Sequence, residues 1–231
     1  MTTQVISNGR TSRECRSRMT IGVGEKCSVT TARHFLGSRE QKSQAFTYSS
    51  TAIVLHWVIA ALILVNVVLG FGANYVPDEY VRQFVDLHKS VGITVLGLAI
   101  LRILWRLMHK PPLLPTSYSP FEQLAAHSVH WMLYVLIFAI PVSGWLHDSA
   151  WKEAATHPVF LYGIIPWPRI SWIQNIEPTT KERLHTILFN IHVYLNYALY
   201  LLLALHIVGA LKHQFWDGEA ELQRMIPPRR R

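Results

Sequence analysis

The chain has 231 residues, 50% of them hydrophobic and only 16% charged, a balance typical of a membrane protein rather than a water-soluble domain. Its formal net charge of +8 comes largely from the first fifty residues and from Arg229, Arg230 and Arg231, and basic flanks beside apolar helices report topology and anionic lipid rather than nucleic acid. The only two cysteines, Cys15 and Cys27, lie in the polar N-terminal segment and no Cys-x-x-Cys-His occurs, which argues against a disulfide framework, an iron–sulfur cluster and a covalently attached haem.

Residues 1–46 are rich in Ser, Thr and Arg and lack helical periodicity, so they are expected to be a disordered extension or an over-long gene start. They do not form a secretory signal, because no apolar stretch closely follows the charges. Residues 47–231 are expected to form one all-α unit, an integral membrane four-helix bundle. The first apolar run, Thr51 to Gly72, carries His56 about one turn inside its start and ends on Gly70, Phe71 and Gly72. A link, Ala73 to Asp86, contains Pro77, Asp78 and Glu79. The second run, Leu87 to Leu107, opens on His88 and Lys89 and ends on Arg102, Trp105 and Arg106. A Pro-rich turn, Lys110 to Pro120, leads to the third run, Leu124 to Leu146, with His127 and His130 near its start. Pro141 near its end predicts a kink rather than a stop, since neighbours in a bundle can satisfy the freed carbonyl. The connection Asp148 to Arg183 is rich in Trp and Pro, and Trp151, Trp167 and Trp172 suit a membrane interface. The last run, Leu184 to His213, carries His185, His192 and His206 and has no charged side chain between Ile187 and Leu211. At about 1.5 Å per residue it can cross a hydrocarbon core of about 30 Å.

Lys and Arg number eight before the first run, one in the first link, three around the second turn, four in the long connection and five from Lys212 onward. The link with one base and three acids marks the outside, so the long connection is also outside and both termini are cytoplasmic. That orientation fixes depth. His56 is roughly 8 Å in from Thr51 and His206 roughly 9 Å in from Lys212, so these two match. His88 is roughly 27 Å from Arg106 and His192 roughly 30 Å from Lys212, so these match as well. His185 stands roughly 40 Å from Lys212, too high to partner His88, and is expected at the interface.

A lone histidine in a helix is usually a packed, hydrogen-bonded residue, but two pairs at two depths, each drawn from different helices, meet the requirement of two six-coordinate haems stacked across a membrane. Zinc fits less well, because a structural site needs four close ligands, usually with thiolates, although two further histidines, His127 and His130, share one helix face near the cytoplasmic depth of His56. His127 and His130, three residues apart, are expected to bond haem propionates or simply to occupy the interface. Gly70, Gly92, Gly97 and Gly144 allow close approach of a flat cofactor or a neighbouring backbone.

Several segments together resemble the bacterial cytochrome b561 family: Leu55-His56-Trp57; Leu87-His88-Lys89-Ser90-Val91-Gly92 with Leu101-Arg102 and Leu104-Trp105-Arg106; Ala126-His127 with Pro141-Val142-Ser143-Gly144; and Leu205-His206 with Ala210-Leu211-Lys212-His213-Gln214-Phe215. The likeness runs from about Thr47 to Pro228, including Arg224-Met225-Ile226-Pro227, and leaves only the N-terminal extension uncovered. It implies a dihaem inner-membrane protein binding two haem b, with iron ligands at His56 and His206 for the cytoplasmic haem and at His88 and His192 for the periplasmic one. It also implies quinone-linked electron transport, and the family includes a superoxide oxidase that passes electrons to ubiquinone. Catalytic residues beyond the ligands are not legible in the sequence. The expected partners are the lipid bilayer, a quinone, and superoxide or a periplasmic redox protein. Three functions follow: a superoxide:ubiquinone oxidoreductase, a cytochrome b subunit relaying electrons between quinone and a separate periplasmic partner, and a histidine-lined transporter of metal ions or protons. Arg82, Lys89, Arg169, Lys181 and Arg183 are available on the outside to steer an anion, diluted by Asp78, Glu79, Glu177 and Glu182.

Overall fold

The computed structural model describes residues 47–109, 112 and 118–226. The expectations for residues 1–46, for most of the Pro-rich turn and for the last five residues therefore lie outside the described residues.

Among the described residues, four helices long and apolar enough to cross a membrane carry the fold: α1 (Ser50–Gly72), α2 (Asp78–Met108), α3 (Pro120–Ser149) and α5 (Pro178–Phe215). Only 6 to 22% of their apolar windows is buried within the protein. The exposed surface, including Val54, Leu64, Val68, Leu101, Val135, Leu201 and Val208, therefore faces lipid. Helix α1 packs on α2, α2 on α3 and α3 on α5. Ile59, Val91 and Val95 close the first seam, and Leu136, Ile140 and Leu199 close the third.

Three helices start earlier than the apolar runs. Helix α2 begins at Asp78 behind Pro77, with Asp78 and Glu79 in its first turn, where carboxylates meet the positive end of the helix dipole. Helix α3 begins at Pro120 behind a capping box in which Ser119 and Glu122 satisfy each other's backbone N–H groups. Helix α5 begins at Pro178, capped by the Glu177 carboxylate, which accepts from Thr179 N at 3.0 Å and Thr180 N at 2.9 Å. The Thr179 hydroxyl and these amides hold the Glu177 carboxyl at about 2, below its ordinary 4.5, so this cap is fully formed above about pH 4.5 and is lost as pH falls through 2. Helix α3 runs through Pro141 without a break.

The two ends of the bundle are organised differently. At the terminal end, the short helix α6 (Glu221–Arg224) closes on the start of the bundle. Tyr48 N donates to Arg224 O at 3.2 Å and Trp57 Nε1 to Met225 O at 2.7 Å. Lys212 Nζ bridges Glu122 and Asp217, each at 2.8 Å. Residues 48 and 224 thus share one side, as an even number of crossings requires.

At the opposite, connection end, the long segment after α3 folds into a feature the sequence reading lacked. An antiparallel hairpin pairs β1 (Val159–Leu161) with β2 (Ile165–Trp167), followed by the short α4 (Ser171–Gln174). Tyr162 (φ 53°) and Gly163 (φ 73°) make the turn, the positive-φ pair that matches strand twist. A left-handed tyrosine is unfavourable, and two contacts with α2 hold it: Tyr162 N donates to Ser90 Oγ at 3.0 Å, and its Oη lies 2.7 Å from Thr94 Oγ1. Arg169, its side chain 6% exposed, clamps the connection by bonding Asp148 at 2.7 Å, the His157 carbonyl at 2.6 Å and the Ala154 carbonyl.

Candidate functional site

Helix α1 has no extensive backbone packing on α5; the space between them is spanned by rings. At the terminal end, the His56 and His206 ring centroids are 6.2 Å apart with planes at 78°. At the connection end, His88 of α2 and His192 of α5 repeat this arrangement at 6.2 Å and 84°. A ligating nitrogen sits about 2 Å from a metal and roughly 1.2 Å from its own ring centroid, so imidazoles on opposite sides of one ion have centroids about 6.4 Å apart. Both pairs match that spacing. The structure brings together the four histidines selected by depth, in the pairing that depth gave.

The connection-end pair is held by a repeated local device. His88 Nδ1 donates to the Asn66 carbonyl at 3.0 Å. A Cβ added at Gly70, one turn later, would stand 3.1 Å from the same ring. His192 Nδ1 lies 3.1 Å from the Ile140 carbonyl and 3.0 Å from Ser143 Oγ, while Ser143 Oγ itself donates to Ile140 O at 2.8 Å. A Cβ at Gly144, again one turn after the carbonyl, would stand 3.2 Å from the His192 ring. In each case a helical carbonyl takes the Nδ1 proton and a glycine four residues on opens the surface for the ring. Nε2 is left as the unprotonated nitrogen that can bind a metal. These two glycines therefore make room for the histidines. Gly92 meets only Asn66 Nδ2 at 3.5 Å, and Gly97 faces open space.

The terminal-end pair is set by rings and charge. His130 stands edge-on to His206 with centroids 5.2 Å apart and bonds the Ala126 carbonyl at 2.7 Å. His127 bonds Gln123 O at 2.7 Å. Of the two histidines expected near the propionates, only His130 reaches a ring of the pair. Arg102 lies beside this group, with Nε donating to Tyr134 Oη at 3.2 Å.

His185 does not join a ligand pair. It stacks on His147 at 3.9 Å, and each Nδ1 lies 3.1 Å from the other's backbone carbonyl. The sequence reading passed over His147, the residue that occupies His185.

The basic residues expected to steer an anion are also less free than expected. Lys89 Nζ lies 2.8 Å from Asp148 Oδ1, Arg169 holds the same carboxylate, and Arg82 lies 3.8 Å from Asp86. Asp148 thus neutralises much of the charge beside His88. Lys181 and Arg183 remain without a carboxylate partner among the described residues.

Two pairs of half-buried imidazoles, each at the span of one metal ion and with no third ligand close enough to complete a cluster among the described residues, fit the iron of a haem better than zinc. A metal-like cluster of Glu122, His213 and Asp217 does occur at the terminal end, but the Lys212 ammonium already bridges its carboxylates.

Comparison with known proteins agrees with this chemistry. Cytochrome b561 homolog 2 of Escherichia coli (strain K12) is 30% identical over 181 residues, covering 78% of this chain and 90% of the relative. The probable superoxide oxidase CybB of Yersinia pestis is 27% identical over 187 residues, covering 79% and 97%. Cytochrome b562 of Cereibacter sphaeroides is 30% identical over 192 residues, covering 79% and 96%. The prokaryotic cytochrome b561 family profile matches residues 47–228, and the chain belongs to that family of membrane-helical, haem-binding electron carriers.

Proposed function

We propose that the protein holds two haem b groups, one between His56 and His206 and the other between His88 and His192, and that it carries electrons across the bacterial inner membrane to ubiquinone, with superoxide as donor. The observation that carries this reading is the 6.2 Å spacing repeated at two depths. Each haem supplies a reversible one-electron carrier. The Asn66 and Ile140 carbonyls orient His88 and His192 by taking their Nδ1 protons. The charge pattern of the sequence puts the connection end outside and both termini in the cytoplasm.

The overall reaction balances as two superoxide anions each giving up one electron to leave two O2, while one quinone takes two electrons and two protons to become quinol. With His56 and His206 holding one haem and His88 and His192 the other, the histidines would leave no iron position for a small anion, so azide and cyanide should leave the rate unchanged. Similarity to a probable superoxide oxidase across nearly its whole length supports this donor. The partial neutralisation of Lys89 and Arg169, which share Asp148, favours a second reading, a cytochrome subunit taking electrons from a periplasmic redox protein, because it weakens steering of a small anion.

A superoxide pulse applied to purified protein, with and without a ubiquinone analogue, separates the two. Rapid haem reduction, followed by reoxidation only when quinone is present, supports the oxidase. Haem that reacts with quinol but stays oxidised under superoxide supports the relay.

A further inference from the structure

Arg102 lies in α2 within the membrane-spanning length and bonds Tyr134, which stands one turn after His130 on α3, and His130 in turn has its ring 5.2 Å from that of His206. Its Nε is spent on Tyr134 Oη at 3.2 Å, and its guanidinium carbon stands 6.0 Å from the Tyr134 ring centroid. Nη1 is buried and has no hydrogen-bond partner. Arg106 adds a second cation 5.7 Å from the same ring, and neither arginine has a carboxylate partner among the described residues. A permanently charged guanidinium with a bare, buried donor is costly, and within a membrane span it calls for an anion. A neutral quinone oxygen would satisfy the donor and leave the charge. A haem edge carries carboxylates that satisfy both.

We propose that Arg102 binds a carboxylate of the haem held by His56 and His206 through its free Nη1, and that its charge makes this haem the easier of the two to reduce. The inference depends on the histidine pairing proposed above. At the connection end the equivalent cations already share Asp148, so the two sites differ in electrostatic character. A cation stabilises the reduced, less positive haem. A unit charge acting across about 10 Å at an effective dielectric constant of about 20 shifts a one-electron equilibrium by roughly tenfold. Electrons entering at the connection end are then drawn toward the terminal end.

The test uses the full chain in detergent, as wild type, Arg102→Gln and Arg102→Lys, with haem stoichiometry and anaerobic redox titration as readouts. A His88→Ala background, which keeps only the haem of the terminal-end pair, assigns the midpoints. Arg102→Gln should retain two haems and lower the midpoint of the His56–His206 haem, changing electron partition between the haems about tenfold, or about 59 mV for a one-electron couple. Arg102→Lys keeps the charge and should stay within about threefold of wild type. Two haems with unchanged midpoints in Arg102→Gln, or a shift confined to the other haem, overturns the proposal. Unchanged midpoints with quinone reduction lost would assign Nη1 to quinone instead. If Arg102→Gln loses haem, Arg102→Lys decides through the propionate-bending Raman band, which must shift when the guanidinium fork is removed; an unchanged band overturns the contact. A wild type holding fewer than two haems would refute the histidine pairing itself, a result distinguishable from all of these.

Discussion

A carbonyl with a glycine four residues later recurs at both histidines of the connection-end pair, as Asn66 with Gly70 and Ile140 with Gly144. The glycine is needed for space, since a methyl group 3.1 to 3.2 Å from an imidazole requires the ring to yield by a few tenths of an ångström. Moving the ring lengthens its Nδ1 bond, worth about 1 kcal/mol, and turns the Nε2 lone pair. Gly144→Ala is therefore expected to shift the low-temperature EPR signal of one ferric haem and to lower its occupancy while the other signal stays fixed. Gly97→Ala, which meets nothing within 4 Å, should leave both signals unchanged. An unaltered spectrum in Gly144→Ala would show that the glycine does not set the ring.

Asp148 joins elements at the connection end, tying the end of α3 to Lys89 on α2 and to Arg169 beyond the hairpin. Removing its charge leaves Arg169, 6% exposed, without a carboxylate and Lys89 with Asp86 alone, and losing one partner of a buried pair costs about 3 kcal/mol. Asp148→Asn should thus lower the melting temperature by several degrees. Because it also leaves Lys89 with Asp86 alone, at 3.4 Å, beside the connection-end histidine pair, it should raise the salt-dependent rate of reaction with superoxide, whereas Lys181→Glu should lower it. A rate indifferent to both changes and to ionic strength would remove electrostatic steering.

The spans themselves were legible as apolar runs, and the candidate site as histidines at matching depth, because a membrane converts sequence distance into height. Helix starts were not, since Asp78 to Asp86 and Pro178 to Arg183 are polar turns projecting beyond the lipid, where hydropathy carries no signal. Their start signals, proline at the first turn and the Ser119–Glu122 capping box, were present. The hairpin was hidden because its turn uses Tyr162, whose left-handed backbone is held by α2 rather than by local preference. The His147–His185 stack escaped because it joins residues 38 apart through reciprocal backbone contacts that no spacing rule encodes.

For the whole molecule, the proposed orientation rests on charge and parity. A reporter fused after Arg231 should be cytoplasmic and one inserted near Thr156 periplasmic; an outward C-terminus would exchange the labels of the two haem sites. Family similarity begins at residue 47, and all four proposed ligands lie beyond it. Deletion of residues 1–46 should therefore leave haem content and optical spectrum intact, and loss of haem at unchanged membrane abundance would reveal a structural role for that segment.

The central claim is that four histidines form two independent pairs, and haem stoichiometry with reduced-minus-oxidised spectra of single His→Ala variants tests it most directly. His88→Ala and His192→Ala should abolish the same spectral component, His56→Ala and His206→Ala the other, with haem content falling toward half each time and His185→Ala retaining both. Loss of a component in His185→Ala with retention in His192→Ala, or loss of different components within a pair, would contradict the account.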